Sequence, residues 1–85
     1  NYPNPFNPVT NINFTLEYIT EIDLSIHAID GRLVRGFMLN DLQPGNHSVT
    51  WDGKDQSLSQ VPSGIYIYRL ESENHTGIGK MTLIK

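Results

Sequence analysis

Apolar residues in this chain recur at every second position within short runs, and nowhere at the i, i+3, i+4, i+7 spacing of a helix over ten or more residues. That period restricts the fold to sheets. In residues 10–16, Ile12, Phe14 and Leu16 point one way and Asn11, Asn13 and Thr15 the other, as in a half-buried strand. Ahead of it, Pro3, Pro5 and Pro8 fix φ and withhold N–H donors. Residues 1–9 are therefore predicted as an extended lead-in.

The second run, 22–29, sets Ile22, Leu24, Ile26 and Ala28 against Asp23, Ser25 and His27 and meets Asp30-Gly31, the strongest hairpin cue in the chain. A two-residue loop there would put Ile26 opposite Arg35. A three-residue loop, with Gly31 in the left-handed region, puts Ile26 opposite Val34, and we expect this one because a one-residue slip turns an apolar face outward. On that register the third run, 32–39, carries Val34 and Met38 inward and Leu33, Phe37 and Leu39 outward. Residues 40–46 read as a loop whose Pro44-Gly45 suits a type II turn.

In residues 47–51, His47, Val49 and Trp51 share one side, and Trp51 is a core anchor whose indole N–H needs an acceptor. Residues 52–62 are polar and irregular. The fifth run, 65–71, points Tyr66, Tyr68 and Leu70 inward and Ile65 and Ile67 outward, and its start after Pro62-Ser63-Gly64 has the pattern of a tyrosine corner. After a reversal over 72–77, the last run, 78–85, points Met81 and Leu83 inward and Lys80 and Thr82 outward. Six runs, with a seventh short one inside 52–62, predict an all-β, immunoglobulin-like antiparallel β-sandwich of about seven short strands and no helix. Residues 1–85 are expected to form a single domain, the lead-in followed by a sandwich over 10–85.

At 85 residues the chain buries roughly 60 to 65% of its unfolded surface, enough for a modest core. Its 38% hydrophobic and 18% charged residues describe a folded globule rather than a disordered tail. A net charge of −3 supplies no basic field for phosphates, so nucleic acid is not an expected partner. With no cysteine, neither a disulfide framework nor a thiolate nucleophile is available. No run approaches the ~18 apolar residues of a membrane span, so no membrane insertion is expected. The chain, beginning at Asn1, reads as a module of something longer whose export signal would lie upstream.

Asn4-Pro5-Phe6-Asn7-Pro8-Val9-Thr10-Asn11-Ile12-Asn13-Phe14-Thr15-Leu16 resembles the opening signature of the C-terminal sorting domains of bacterial type IX secretion cargo. Those domains are similar to the immunoglobulin-like domain of the flagellar hook-capping protein. Further matches follow in order: Gly31 with Leu33-Val34, Pro44-Gly45 with His47, Trp51-Asp52-Gly53, the run from Ser63 through Leu70, and the closing Lys80-Met81-Thr82-Leu83-Ile84-Lys85. The same pattern implies Gly at position 58, where this chain has Leu58. A leucine is strained there if φ is positive, so the loop is expected to take another path.

No catalytic constellation emerges. His27, His47 and His75 lie on different runs without a partner at i+2 or i+4, so they read as solvated or hydrogen-bonded rather than as zinc ligands. Ser57 and Ser63 lack a nucleophile elbow. Asp52-Gly53-Lys54-Asp55 has calcium-loop spacing but no later bidentate Glu, so Asp52 is expected to cap its own turn. No cofactor is implied. Asn13, Asn46 and Asn74 head N-x-[ST] sequons where about one would arise by chance, and in a bacterial surface domain we expect no N-glycan on them.

The outward apolar residues Leu33, Phe37, Leu39, Ile65 and Ile67, with Ile78 and Ile84, are either covered by the lead-in and long loops or form a contact surface. The resemblance implies a non-catalytic C-terminal module of an exported protein, secreted or at the cell surface, serving sorting and attachment. Its expected partners are proteins: the secretion machinery, the parent protein or a neighbouring subunit. The contact segment is assigned to Lys80, Met81, Thr82, Leu83, Ile84 and Lys85, at the chain end. The alternative is a building block of an extracellular filament assembled head-to-tail by strand complementation, or a spacer. A hook-capping role would need flanking regions, and a carbohydrate-binding module is weakened by Trp51, Tyr66 and Tyr68 reading as core.

Overall fold

A computed structural model describes residues 10–73 and 75–84. Six strands follow one another: β1 (Thr10–Leu16), β2 (Thr20–His27), β3 (Leu33–Leu42), β4 (Gly45–Trp51), β5 (Gly64–Glu71) and β6 (Thr76–Leu83). β1 pairs with β4, and the other four form a second antiparallel sheet in the order β3-β2-β5-β6. The two sheets pack as a β-sandwich, and among the described residues there is no helix. The predicted lead-in lies outside the described residues. An isolated antiparallel bridge, Lys54 to Gln60, stands where a seventh short strand was expected.

The alternation sorts each strand as anticipated at the centre. On β2, Ile22, Leu24 and Ile26 are 3%, 0% and 0% exposed, and across the sandwich Ile12 and Trp51 are 2% and 0% exposed. Each such apolar side chain contributes about 1.5 to 3 kcal/mol when withdrawn from water. Tyr66, Met81 and Leu83 complete the core from β5 and β6, with Tyr68 and Leu70 packed against it. The outer face of the small sheet is a polar ladder. Thr50 Oγ1 donates to Asn11 Oδ1 at 2.7 Å, and Thr15 Oγ1 to Asn46 Oδ1 at 2.8 Å.

The β2–β3 hairpin departs from both registers considered above. At its tip the three-residue loop forms: Ala28 N–H donates to Arg32 O at 2.9 Å and His27 stands opposite Leu33. One step on, the register shifts and Ile26 faces Arg35. Val34 is the extra residue of a β-bulge and stays buried. The slip reverses the rest of β3. Phe37 and Leu39, expected outward, lie opposite Leu24 and Ile22 and pack against the core, whereas Met38, expected inward, is 59% exposed. A second shift lies between Thr20 and Ile22, where Asp41 on the facing strand takes φ 54°.

The bulge has a partner far away in sequence. Gln56 N–H donates to Val34 O and Gly36 N–H to Gln56 Oε1, both at 2.9 Å, so the 52–62 segment occupies the free edge of β3. The predicted loop over 40–46 is shorter than expected. β3 continues to Leu42 and β4 begins at Gly45, leaving two residues to cross between sheets, with Gly45 at φ 123°.

Candidate functional site

β1 and β6 meet at one end of the sandwich, where Thr10 Oγ1 donates to Thr82 O at 3.3 Å, and share no ladder along their length. The sequence explains the opening. The inner face of β6 reads Gly77, Gly79, Met81, Leu83, opposite Leu70, Tyr68, Tyr66 and Gly64. Met81 and Leu83 fill the closed end. At Gly79 the gap is taken by the Tyr68 ring, onto which any Cβ would collide, while a Cβ on Gly77 would meet nothing within 4 Å. A cleft of about 630 Å³ results, with Phe14 and Leu16 on one wall and Ile22 and Leu70 on the floor.

The β1–β2 turn forms its lip, holding Tyr18 69% and Ile19 62% exposed. Phe14 is held from behind by His47, stacked at 5.6 Å, whose Nε2 lies 2.6 Å from Gln43 O. Acids crowd this end: Glu17 and Glu73 line the cleft, and Glu71 stands opposite Asp23. Glu21 and Asp41 lie where β2 begins and β3 ends. The nearby cation, Arg69, is 3.2 Å from Glu71. The signal for this site, glycines at 77 and 79 on an otherwise apolar face beside Tyr18-Ile19, is visible in the chain but acquires meaning only once β6 is placed.

The expected chain-end segment divides. Met81 and Leu83 are core, 9% and 1% exposed, while Lys80 and Thr82 point to solvent and Ile84 projects 76% exposed past the strand. Lys85 lies outside the described residues. Of the apolar surface residues, Leu33 and Ile65 are 57% and 49% exposed and Ile78 69%, Ile67 is half-buried, and Phe37 and Leu39 leave the group for the core side. Asn13 and Asn46 lie exposed on the small sheet, and Asn74 is outside the described residues.

At the opposite end, Trp51 Nε1 donates to Lys54 O at 2.9 Å, satisfying the indole, and Asp52 Oδ1 accepts Lys54 N–H at 3.1 Å, closing its turn. Arg35 lies 3.5 Å from Asp52 and over the Phe37 ring at 4.9 Å. Asp55 Oδ1 accepts Ser57 N–H at 2.9 Å and Ser59 N–H at 3.0 Å, turning the chain through Leu58, which takes φ 67°. The loop thus keeps the left-handed position and strains its leucine rather than taking another path.

Tyr66 O–H donates to Pro62 O at 2.6 Å, the tyrosine corner anticipated for this strand. Burial raises the Tyr66 phenol above its usual value, partly offset by the Arg32 charge. His27 bridges Ser25 Oγ at 2.9 Å and Gly31 O at 3.2 Å, and His75 O accepts Ser72 N–H at 2.8 Å. Among the described residues no three His, Cys, Asp or Glu gather where they could hold a metal ion, and no helix is long and apolar enough to cross a membrane.

Over residues 1–85 the chain matches the family described as the secretion system C-terminal sorting domain. The chain belongs to that family. The sorting domain is also 40% identical over 45 residues to the basal-body rod modification protein FlgD of Salmonella typhimurium and to that of Salmonella typhi. The match takes in 53% of this chain and spans 19% of the length of those relatives. The crystal structure of FlgD from P. aeruginosa superposes with a TM-score of 0.71 at 21% identity, covering 89% of this chain and 59% of that one. The sorting domain therefore shares the FlgD-like, immunoglobulin-like fold.

Proposed function

We propose that this chain is a non-catalytic C-terminal module of an exported bacterial protein, serving type IX secretion sorting and attachment at the cell surface. The observation that carries the reading is the match of the whole chain to the sorting-domain family. A small sandwich whose β1 and β6 edges carry no further strand among the described residues gives a receptor shape and backbone donors to read, without bond-making chemistry. Its partners are the secretion machinery and the parent protein. Within the chain end, Lys80, Thr82 and Ile84 are the accessible contacts, because Met81 and Leu83 are committed to the core.

The test is to fuse residues 1–85 to an inert, signal-bearing reporter in a type IX-competent bacterium. Surface or medium location, lost in a folded variant carrying Ile84→Asp and Lys80→Glu, supports the reading. Retention of the unaltered fusion in the periplasm overturns it. Deleting residues 80–85 is the poorer experiment, since it removes two core side chains and unfolds the domain.

A head-to-tail building block of an extracellular filament is the second reading, favoured by the edges of β1 and β6 that carry no further strand among the described residues. It requires association that grows with concentration in sedimentation velocity; a monomer at every concentration removes it.

A further inference from the structure

Among the described residues no strand lies between β1 and β6. Within them β1 is paired only with β4 and β6 only with β5, so beyond the Thr10–Thr82 contact no ladder joins their facing edges. Between these edges lies the cleft floored by Ile22 and Leu70, walled by Phe14 and Leu16, and left open by Gly77.

We propose that this cleft is a docking site for a short extended segment of another polypeptide, apolar at alternate positions and cationic between them. The segment adds as a strand to the free edge of β6 and lays its apolar side chains on Phe14, Leu16, Ile22 and Leu70. Thr10 already meets Thr82 at the closed end, so the site runs from Phe14 through the β1–β2 turn to Thr20, and an extended segment of about five to seven residues seats only its central part there.

Charge selects the occupant. Glu17 and Glu73 line the cleft, Glu21, Asp23, Asp41 and Glu71 surround it, and Arg69 is engaged by Glu71. A strand carrying Lys or Arg is drawn to this end, and an acidic one is repelled. The chain's own lead-in, residues 1–9, contains no Lys or Arg and has prolines at 3, 5 and 8, which remove ladder donors. Arg32, Arg35 and Lys54 lie toward the other end of the sandwich, and the run from Lys80 to Lys85 has Met81 and Leu83 buried in its own core, so a second copy offers it only by unfolding. A foreign strand matches the cleft better than a second copy. The inference does not depend on the sorting role, and its test does not use secretion.

The probe is the blocked heptapeptide Lys-Ile-Thr-Val-Lys-Leu-Thr, titrated into residues 1–85 by fluorescence anisotropy. Saturable binding is expected, weakened at least about fivefold between 25 and 300 mM salt. Replacing both peptide lysines by glutamate should abolish it, and so should proline at the central valine, which removes a ladder donor. In the protein, Glu17→Lys with Glu73→Lys should weaken binding about tenfold, since both side chains are exposed and their reversal leaves the core intact. Gly77→Phe should block binding while the thermal midpoint holds, because the added ring enters open space.

No saturable binding by the unaltered chain overturns the proposal, as does equal binding by a folded Gly77→Phe variant. Binding that appears only after residues 1–9 are removed, or that competes with self-association, assigns the cleft to this chain's own strands and overturns it as well.

Discussion

The Tyr68 ring lies across Gly79 of the neighbouring strand, in the space where any larger residue would place its Cβ. Tyr68 thereby spends its bulk laterally on β6 rather than reaching down the sandwich. Two glycines on one strand face have opposite roles, the first leaving a cleft and the second seating an aromatic ring.

Gly79→Ala is therefore expected to destabilise by about 1 to 3 kcal/mol, the range for forcing extra volume into a packed site. Gly77→Ala should be neutral or stabilising by up to about 1 kcal/mol, because it loses only glycine's excess freedom in the unfolded chain. Urea unfolding of the two variants side by side measures the contrast.

Leu58 occupies the left-handed region at φ 67° with its side chain 65% exposed. Strain there costs a non-glycine residue about 1 to 2 kcal/mol, and glycine gives back part of the gain through unfolded-state entropy. Leu58→Gly should stabilise by about 0.5 to 1 kcal/mol, seen as a higher urea midpoint at unchanged slope.

Tyr66→Phe removes the donor to Pro62 O and is expected to cost about 1 kcal/mol. It should also change the alkaline limb. Burial holds the folded phenol above its unfolded value, so above about pH 10 the unfolded chain releases this proton first and stability falls as pH rises. Below that pH the phenol is neutral in both states and its contribution is fully present. Thermal melts between pH 8 and 11 should show a shallower decline for the phenylalanine variant.

Gln56 clips the bulged edge of β3 through both its amide groups. Gln56→Ala should cost about 0.5 to 1.5 kcal/mol and speed hydrogen exchange at Gly36, whose N–H loses its acceptor. Gln56→Glu, which keeps an oxygen in place, should retain most of the protection.

The alternation of Ile12-Phe14-Leu16, Ile22-Leu24-Ile26 and Tyr66-Tyr68-Leu70 determined by itself that this chain is a sandwich, and it placed Trp51, Met81 and Leu83 in the core. A two-residue period leaves a half-buried strand only one face to bury, so those assignments needed nothing beyond local pattern. Asp52 closing its own turn was legible for the same reason. The direction of Phe37, Met38 and Leu39 was decided only by tertiary structure. It turns on one extra residue at Val34, whose carbonyl and the next free N–H but one are satisfied by Gln56, some twenty positions on. The cleft was hidden too, because Gly77 and Gly79 read alike until Tyr68 is laid against one of them. What a glycine leaves open depends on which side chain from another strand arrives to fill it.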